Sequence, residues 1–145
     1  MTTIAANREV MAADSKCTVD SVSFHTPKIF RKKGALIATA GDCGPGNRFL
    51  EWYGSRRKKK PEIGADEDFE ALVLTAKGLV YYGKDFEPVP IASGVFAIGS
   101  GSVAALTAMK VYGATPEKAV EAACVIDEYT EGPVQVFNLK EGVGA

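Results

Sequence analysis

The second residue of the chain is a threonine, directly behind the initiator methionine. Threonine is small enough for that methionine to be removed. Once it is gone, Thr2 carries a hydroxyl nucleophile and a free α-amine on the same residue. An α-amine has a reference pKa of about 7.7–8.0, so near pH 7 part of it is neutral and can accept the hydroxyl proton. This is the N-terminal threonine form of the nucleophile–base pair. Thr2 read alone also fits a β-branched residue that merely opens a strand. Other nucleophiles have little to draw on. The single histidine, His25, lies in a polar stretch and reads as a solvated loop residue rather than the base of a Ser–His or Cys–His site. Cys17, Cys43 and Cys124 show no paired metal-ligand spacing, so neither a metal nor a cofactor is expected.

The bulk properties bound these options. A chain of 145 residues fits one domain over 1–145 and buries a core without disulfides or metals. An odd, sparse cysteine count suits a reducing compartment and a cytoplasmic location. The formal net charge of −1 gives no global pull toward nucleic acid or an anionic membrane. No apolar run approaches the length needed to span a bilayer, and no basic segment followed by an apolar one marks a secretory leader. The run Arg56–Lys60 (RRKKK) has two readings. It contacts a phosphate-rich partner, or it is a solvated loop neutralised by Asp66–Asp68; the second is preferred.

The elements that must position Thr2 follow from the hydrophobic pattern. Thr2–Ala13 predicts two short strands around a turn at Asn7–Glu9. Cys17–Ser23 alternates only weakly. Lys28–Gly41 predicts a strand, a basic turn at Lys32–Gly34 and a buried strand over Ala35–Ala40. Gly41–Gly46 reads as a loop, and Asn47 as the N-cap of a helix whose apolar side is Phe49, Leu50, Trp52 and Tyr53. Arg56–Asp68 reads as a charged linker. Phe69–Gly83 predicts a hairpin around Ala76–Gly78, and Val95–Gly101 a buried strand. Two helices follow: one ends at Gly113, and the other opens with Thr115 as N-cap and Pro116 in first place. Gly132–Gly142 closes the chain as a strand. Strands, helix, strands, helices and strand make a layered α+β protein.

Four segments taken in order are similar to proteasome β-subunits and their bacterial relative HslV. They are TTIAA with VMAADSK, KIFRKKGALIATAGD, FAIGSGSVAAL, and GATPEKAVEAACVIDEYTEGPVQVFNL. The resemblance runs from Thr2 to about Leu139, with a break between Ser55 and Phe69. It implies an N-terminal nucleophile hydrolase with a four-layer αββα sandwich, here with a reduced helical layer, because one helix stands where the family has two. It implies that Thr2 is the nucleophile of a threonine peptidase acting through an acyl-enzyme. It assigns Asp14 and Lys28 as the carboxylate–lysine pair beside that nucleophile. Ser100 takes the place near the threonine amine, and Asp127 and Thr130 match the pair that orders the N-terminus. Ala38 falls where the oxyanion donor is expected, and Cys17, Leu36 and Ala40 where a modest apolar substrate pocket is expected. The implied partners are a peptide or unfolded protein substrate, further copies in a homo-oligomeric ring or related assembly, and an ATP-dependent unfoldase. Two alternatives stay open: a small-amide hydrolase of the same superfamily, and a catalytically silent assembly subunit.

Overall fold

Asn7 turns the chain back on itself within seven residues of its start. Its Oδ1 accepts the N–H groups of Glu9 and Val10, both at 2.8 Å, which closes the turn between β1 (Thr3–Ala6) and β2 (Val10–Ala13). The computed structural model describes residues 1–141, so Gly142 of the predicted closing segment and the last residues of the 1–145 assignment lie outside it. Next come β3 (Lys16–Val19), β4 (Val22–His25), β5 (Ile29–Lys32), β6 (Ala35–Gly41) and α1 (Cys43–Trp52). After these come β7 (Phe69–Thr75), β8 (Gly78–Tyr82), β9 (Pro88–Ile91) and β10 (Phe96–Gly99). The chain ends with α2 (Ser102–Tyr112), α3 (Pro116–Ile126) and β11 (Gln135–Asn138). One antiparallel sheet has the order β10-β1-β2-β11, a second has β5-β6-β7-β8-β9, and β3-β4 form a separate exposed hairpin.

Alternation along the strands sorts the side chains into three packed groups. Ile4, Ala6, Met11 and Ala13 of the first sheet meet Leu36, Ala38, Ala40, Leu72 and Leu74 of the second. The intervening residues Ala5, Ala12 and Ala97 pack on Ala105, Met109, Ala119, Val120 and Ala123 of α2 and α3. Methyl groups dominate that contact, so these helices lie close on the strands. On the second sheet, Ala35, Ile37, Ala71 and Val73 pack with Phe49 of α1 and with Phe86. Phe49 is the hub of this group. Its ring lies 4.9 Å from Tyr82, 5.1 Å from Phe86 and 5.4 Å from Phe69, in tilted or edge-on contacts that favour aromatic pairs.

The predicted hairpins, the buried strands and the last two helices are present. Thr115 caps α3 by accepting the Lys118 N–H at 3.2 Å, and Gly113 ends α2 in the left-handed conformation. The start of α1 departs from the expectation. The helix begins at Cys43 with Asp42 in the cap position, not at Asn47. Pro45 sits in the first turn, where a missing N–H costs nothing. A Cβ on Gly46 would come 2.7 Å from Thr39 Oγ1, so glycine lets the helix rest directly on β6. The weakly alternating Cys17–Ser23 lies within the β3-β4 hairpin. The sequence reading had no counterpart for β9. Its prolines, Pro88 and Pro90, are tolerated because it is an edge strand.

Candidate active site

Lys28 is the residue immediately before β5, and its side chain is only 6% exposed. Gln135 of β11 fixes its backbone: Gln135 Oε1 accepts the Lys28 N–H at 2.9 Å, and Gln135 Nε2 donates to Thr26 O at 2.7 Å. The ammonium donates to Asp14 Oδ1 at 2.8 Å, Lys16 O at 2.6 Å, Thr2 Oγ1 at 3.1 Å and Met1 O at 3.2 Å. Three protons thus face four acceptors. The Met1 carbonyl is the acceptor that leaves if Met1 is cleaved.

Asp14 follows β2 directly and is fully buried. Besides Lys28, it accepts the Thr3 N–H on Oδ1 at 2.9 Å. Oδ2 accepts the N–H groups of Lys16 and Glu131, both at 3.3 Å. Four donors around one carboxylate satisfy the rule that a buried charge must be paired and hydrogen-bonded. A lysine ammonium bonded to the Thr2 hydroxyl oxygen stabilises negative charge that develops there.

The chain from Gly99 to Gly101 approaches Thr2 from the other side. The Ser100 N–H donates to Thr2 O at 2.8 Å, and the Gly101 N–H to Thr3 Oγ1 at 3.0 Å. Gly99 has φ +97°, and a Cβ there would fall 1.7 Å from Thr2 O. Ser100 Oγ and Thr130 Oγ1 each donate to Asp127 Oδ2 at 2.6 Å. Partial burial works to raise the Asp127 pKa. The hydrogen bonds from Ser100, Thr130 and the Tyr129 N–H, with the nearby N-terminal charge, outweigh it, and the carboxyl is held below the usual range.

Six of the predicted residues, Thr2, Asp14, Lys28, Ser100, Asp127 and Thr130, therefore form one connected cluster. The sequence reading missed Thr3. It is fully buried, its N–H goes to Asp14, and its hydroxyl lies 2.7 Å from Thr130 Oγ1. A second β-branched polar residue beside Thr2 was the available signal. Gln135 was also missed, and one glutamine in a closing strand gave no signal.

Of the other four positions, Ala38, Leu36 and Ala40 differ from the expectation. Ala38 lies mid-strand in β6, opposite both Ile29 and Leu72, and is fully buried. With a strand on each side, its N–H belongs to the sheet and is not offered to an oxyanion. Leu36 is fully buried and Ala40 nearly so, both in the core between the sheets, so they do not line an open pocket. Cys17 is half-buried on β3, next to the Lys16 carbonyl that holds Lys28, and pairs across the hairpin with exposed Phe24. In the basic run Arg56–Lys59 are exposed and Lys60 pairs with Glu87, while Glu67 is engaged by Arg48; among the described residues no ion pair joins Arg56–Lys60 to Asp66–Asp68.

No protein-family model matches the chain, and no curated protein matches it. Solved structures do. BPH from Thiobacillus denitrificans superposes with a TM-score of 0.73 at 18% identity, over 94% of this chain and 96% of that one. HslV from Trypanosoma brucei superposes with a TM-score of 0.70 at 19% identity, over 94% and 98%. The fold is that of HslV. The Gly-1 mutant of Anbu from Hyphomicrobium sp. strain MC1 is also similar, with a TM-score of 0.68 at 12% identity over 95% of this chain and 81% of that one. The HslV-like fold extends over nearly the whole chain. Among the described residues, no helix is long and apolar enough to cross a membrane.

Proposed function

We propose that the protein is a threonine-type peptidase whose nucleophile is Thr2 once Met1 has been removed. The observation that carries this reading is the Lys28 ammonium, held by buried Asp14 and bonded to Thr2 Oγ1. In the chain with Met1 present, the Thr2 nitrogen is an amide and cannot take a proton. Removing Met1 turns it into an amine, beside a hydroxyl already oriented by Lys28. The amine takes the hydroxyl proton, Thr2 Oγ1 attacks a substrate carbonyl, and Lys28 stabilises the charge as the acyl-enzyme forms. The protonated amine then donates to the leaving group, and water hydrolyses the ester.

The three packed groups support a four-layer αββα arrangement with α1 alone on the second sheet. Assembly into an oligomer is supported by the apolar groove of about 560 Å³ between α2 and α3. There Val103, Tyr112 and Ile126 are 74–81% exposed, a contiguous apolar patch of the kind that marks an interaction site. A cytoplasmic location, peptide or unfolded-protein substrates and an unfoldase partner complete the proposal. One solved structure, BPH of T. denitrificans, has been captured in complex with Epoxomicin.

The test starts with the intact mass of protein purified from its own host, followed by hydrolysis of fluorogenic peptides and of small amides. Loss of Met1, turnover of peptides and no turnover in Thr2→Ala support the proposal. Turnover of small amides alone points to an amidohydrolase. A retained Met1 with no turnover points to a silent assembly subunit.

A further inference from the structure

Glu70 is the second residue of β7, and none of the roles described so far uses it. It faces the space between the sheets, on the same side of β7 as Leu72 and Leu74. Glu70 Oε1 accepts the Tyr81 hydroxyl at 3.2 Å, and Oε2 accepts the Gly99 N–H at 3.4 Å. The second bond spans the two sheets. Gly99 ends β10, the edge strand of the first sheet, and Glu70 sits in the middle strand of the second. An edge strand leaves N–H groups without a ladder partner. At Gly99 the Glu70 carboxylate supplies the partner.

Gly99 opens the corner that grips the start of the chain. Its three consecutive N–H groups go to three different acceptors: Gly99 to Glu70, Ser100 to the Thr2 carbonyl and Gly101 to the Thr3 hydroxyl. Two of these bonds hold the nucleophile strand, and the third anchors the corner itself to the other sheet. Tyr81 steadies the anchor. Its ring stands edge-on to Phe96 at 5.8 Å, and burial, followed by the charge of Glu70, raises its pKa so that it stays a donor. We infer that Glu70 is a positioning residue for the Thr2 site, acting through the Gly99–Gly101 corner. This rests on the peptidase reading for its kinetic consequence but not for its structural one.

The requirement is an acceptor at Oε2, not a charge. Gln keeps an oxygen there and Leu does not, at similar volume. Glu70→Leu and Glu70→Gln are therefore compared with the Met1-processed wild type in two measurements. The first is amide hydrogen exchange at residues 99–101. Exchange about ten-fold faster in Glu70→Leu is expected, with Glu70→Gln close to wild type. The second is peptide turnover. Misplacing a nucleophile by an ångström costs about 100-fold, so kcat in Glu70→Leu is expected to fall by about ten-fold or more, with KM nearly unchanged and Glu70→Gln restoring most of the loss. Unchanged exchange in a folded Glu70→Leu overturns the inference. So does an equal loss in the two variants. If Glu70→Leu does not fold, Glu70→Gln with Tyr81→Phe carries the test: slower turnover and faster exchange in Tyr81→Phe than in Glu70→Gln are expected, and the reverse order overturns it. If the wild type turns nothing over, the peptidase reading fails and the exchange data alone decide the role of Glu70.

Discussion

Replacing Lys28 by methionine separates the stability of the site from its chemistry. The variant keeps the stem volume and removes the ammonium. Asp14 is then a fully buried carboxylate whose remaining donors are the N–H groups of Thr3, Lys16 and Glu131. Breaking a buried pair costs about 3–5 kcal/mol, and the three surviving donors place this case near the low end, at about 3 kcal/mol. For a chain of this size, about 2–4 °C per kcal/mol lowers Tm by about 6–12 °C. Adding Asp14→Asn removes the stranded charge while an amide oxygen still accepts the Thr3 N–H, at the loss of only the two long 3.3 Å bonds from Lys16 and Glu131 to Oδ2. The double variant Lys28→Met/Asp14→Asn should therefore be more stable than Lys28→Met alone, by about 1–2 kcal/mol. Both should lack peptide turnover. Urea unfolding gives the stabilities, and fluorogenic peptides give the activity. A double variant less stable than the single would show that an unpaired charge is not what the loss of Lys28 creates. The reasoning from the Lys28–Asp14 pair would then be refuted.

Other perturbations probe the surrounding network. Thr3→Val leaves the Gly101 N–H without a partner and the Thr130 hydroxyl with Asp127 alone, and should cost about 1–3 kcal/mol in urea unfolding, whereas Thr3→Ser should stay near wild type. Gly99→Ala and Gly113→Ala both place alanine at positive φ, yet only the first drives a Cβ into backbone, 1.7 Å from Thr2 O. Gly113→Ala should cost about 1–2 kcal/mol in thermal unfolding, and Gly99→Ala should give a much larger loss or no soluble protein. The Asp127 carboxyl has a folded pKa below its unfolded one. Its contribution is therefore present above the unfolded value of about 3.9 and lost as pH falls through the folded value. Asp127→Asn should lower Tm at pH 7, and the gap to wild type should close as pH falls through the folded value.

The sequence was most legible where local rules and global packing agree. Thr115 with Pro116 announces α3, and Gly113 announces the end of α2. Alternation announces β1, β2 and β6. It was least legible where tertiary contact overrides a local signal. Gly44, Pro45 and Gly46 look like a loop, yet they open α1 because β6 needs a helix backbone without side chains against Thr39. Pro88 and Pro90 disguise β9, since a strand pattern does not reveal which strand will lie at an edge. The same division holds at the site. Residues that bond to each other across the chain matched a known order of motifs. Ala38, Leu36 and Ala40 were placed by the same resemblance, but the strand's pleat turns them to the core between the sheets. Gln135 and Glu70 act through backbone groups of distant segments, and one sequence holds no trace of such pairings.

The alanine-lined contact beneath α2 and α3 also acts as a gauge. Asp127 ends α3, so its height above β1 is set by the thickness of Ala5, Ala12, Ala119 and Ala123. A Cβ on Gly101 would already lie 2.9 Å from the Ala123 methyl and 2.3 Å from Thr3 Oγ1. One added methylene anywhere in that layer would jack the helix upward and stretch the bonds through Ser100 and Thr130. Some of the smallest side chains in the protein thus calibrate the reach of the polar network through Ser100, Thr130 and Asp127.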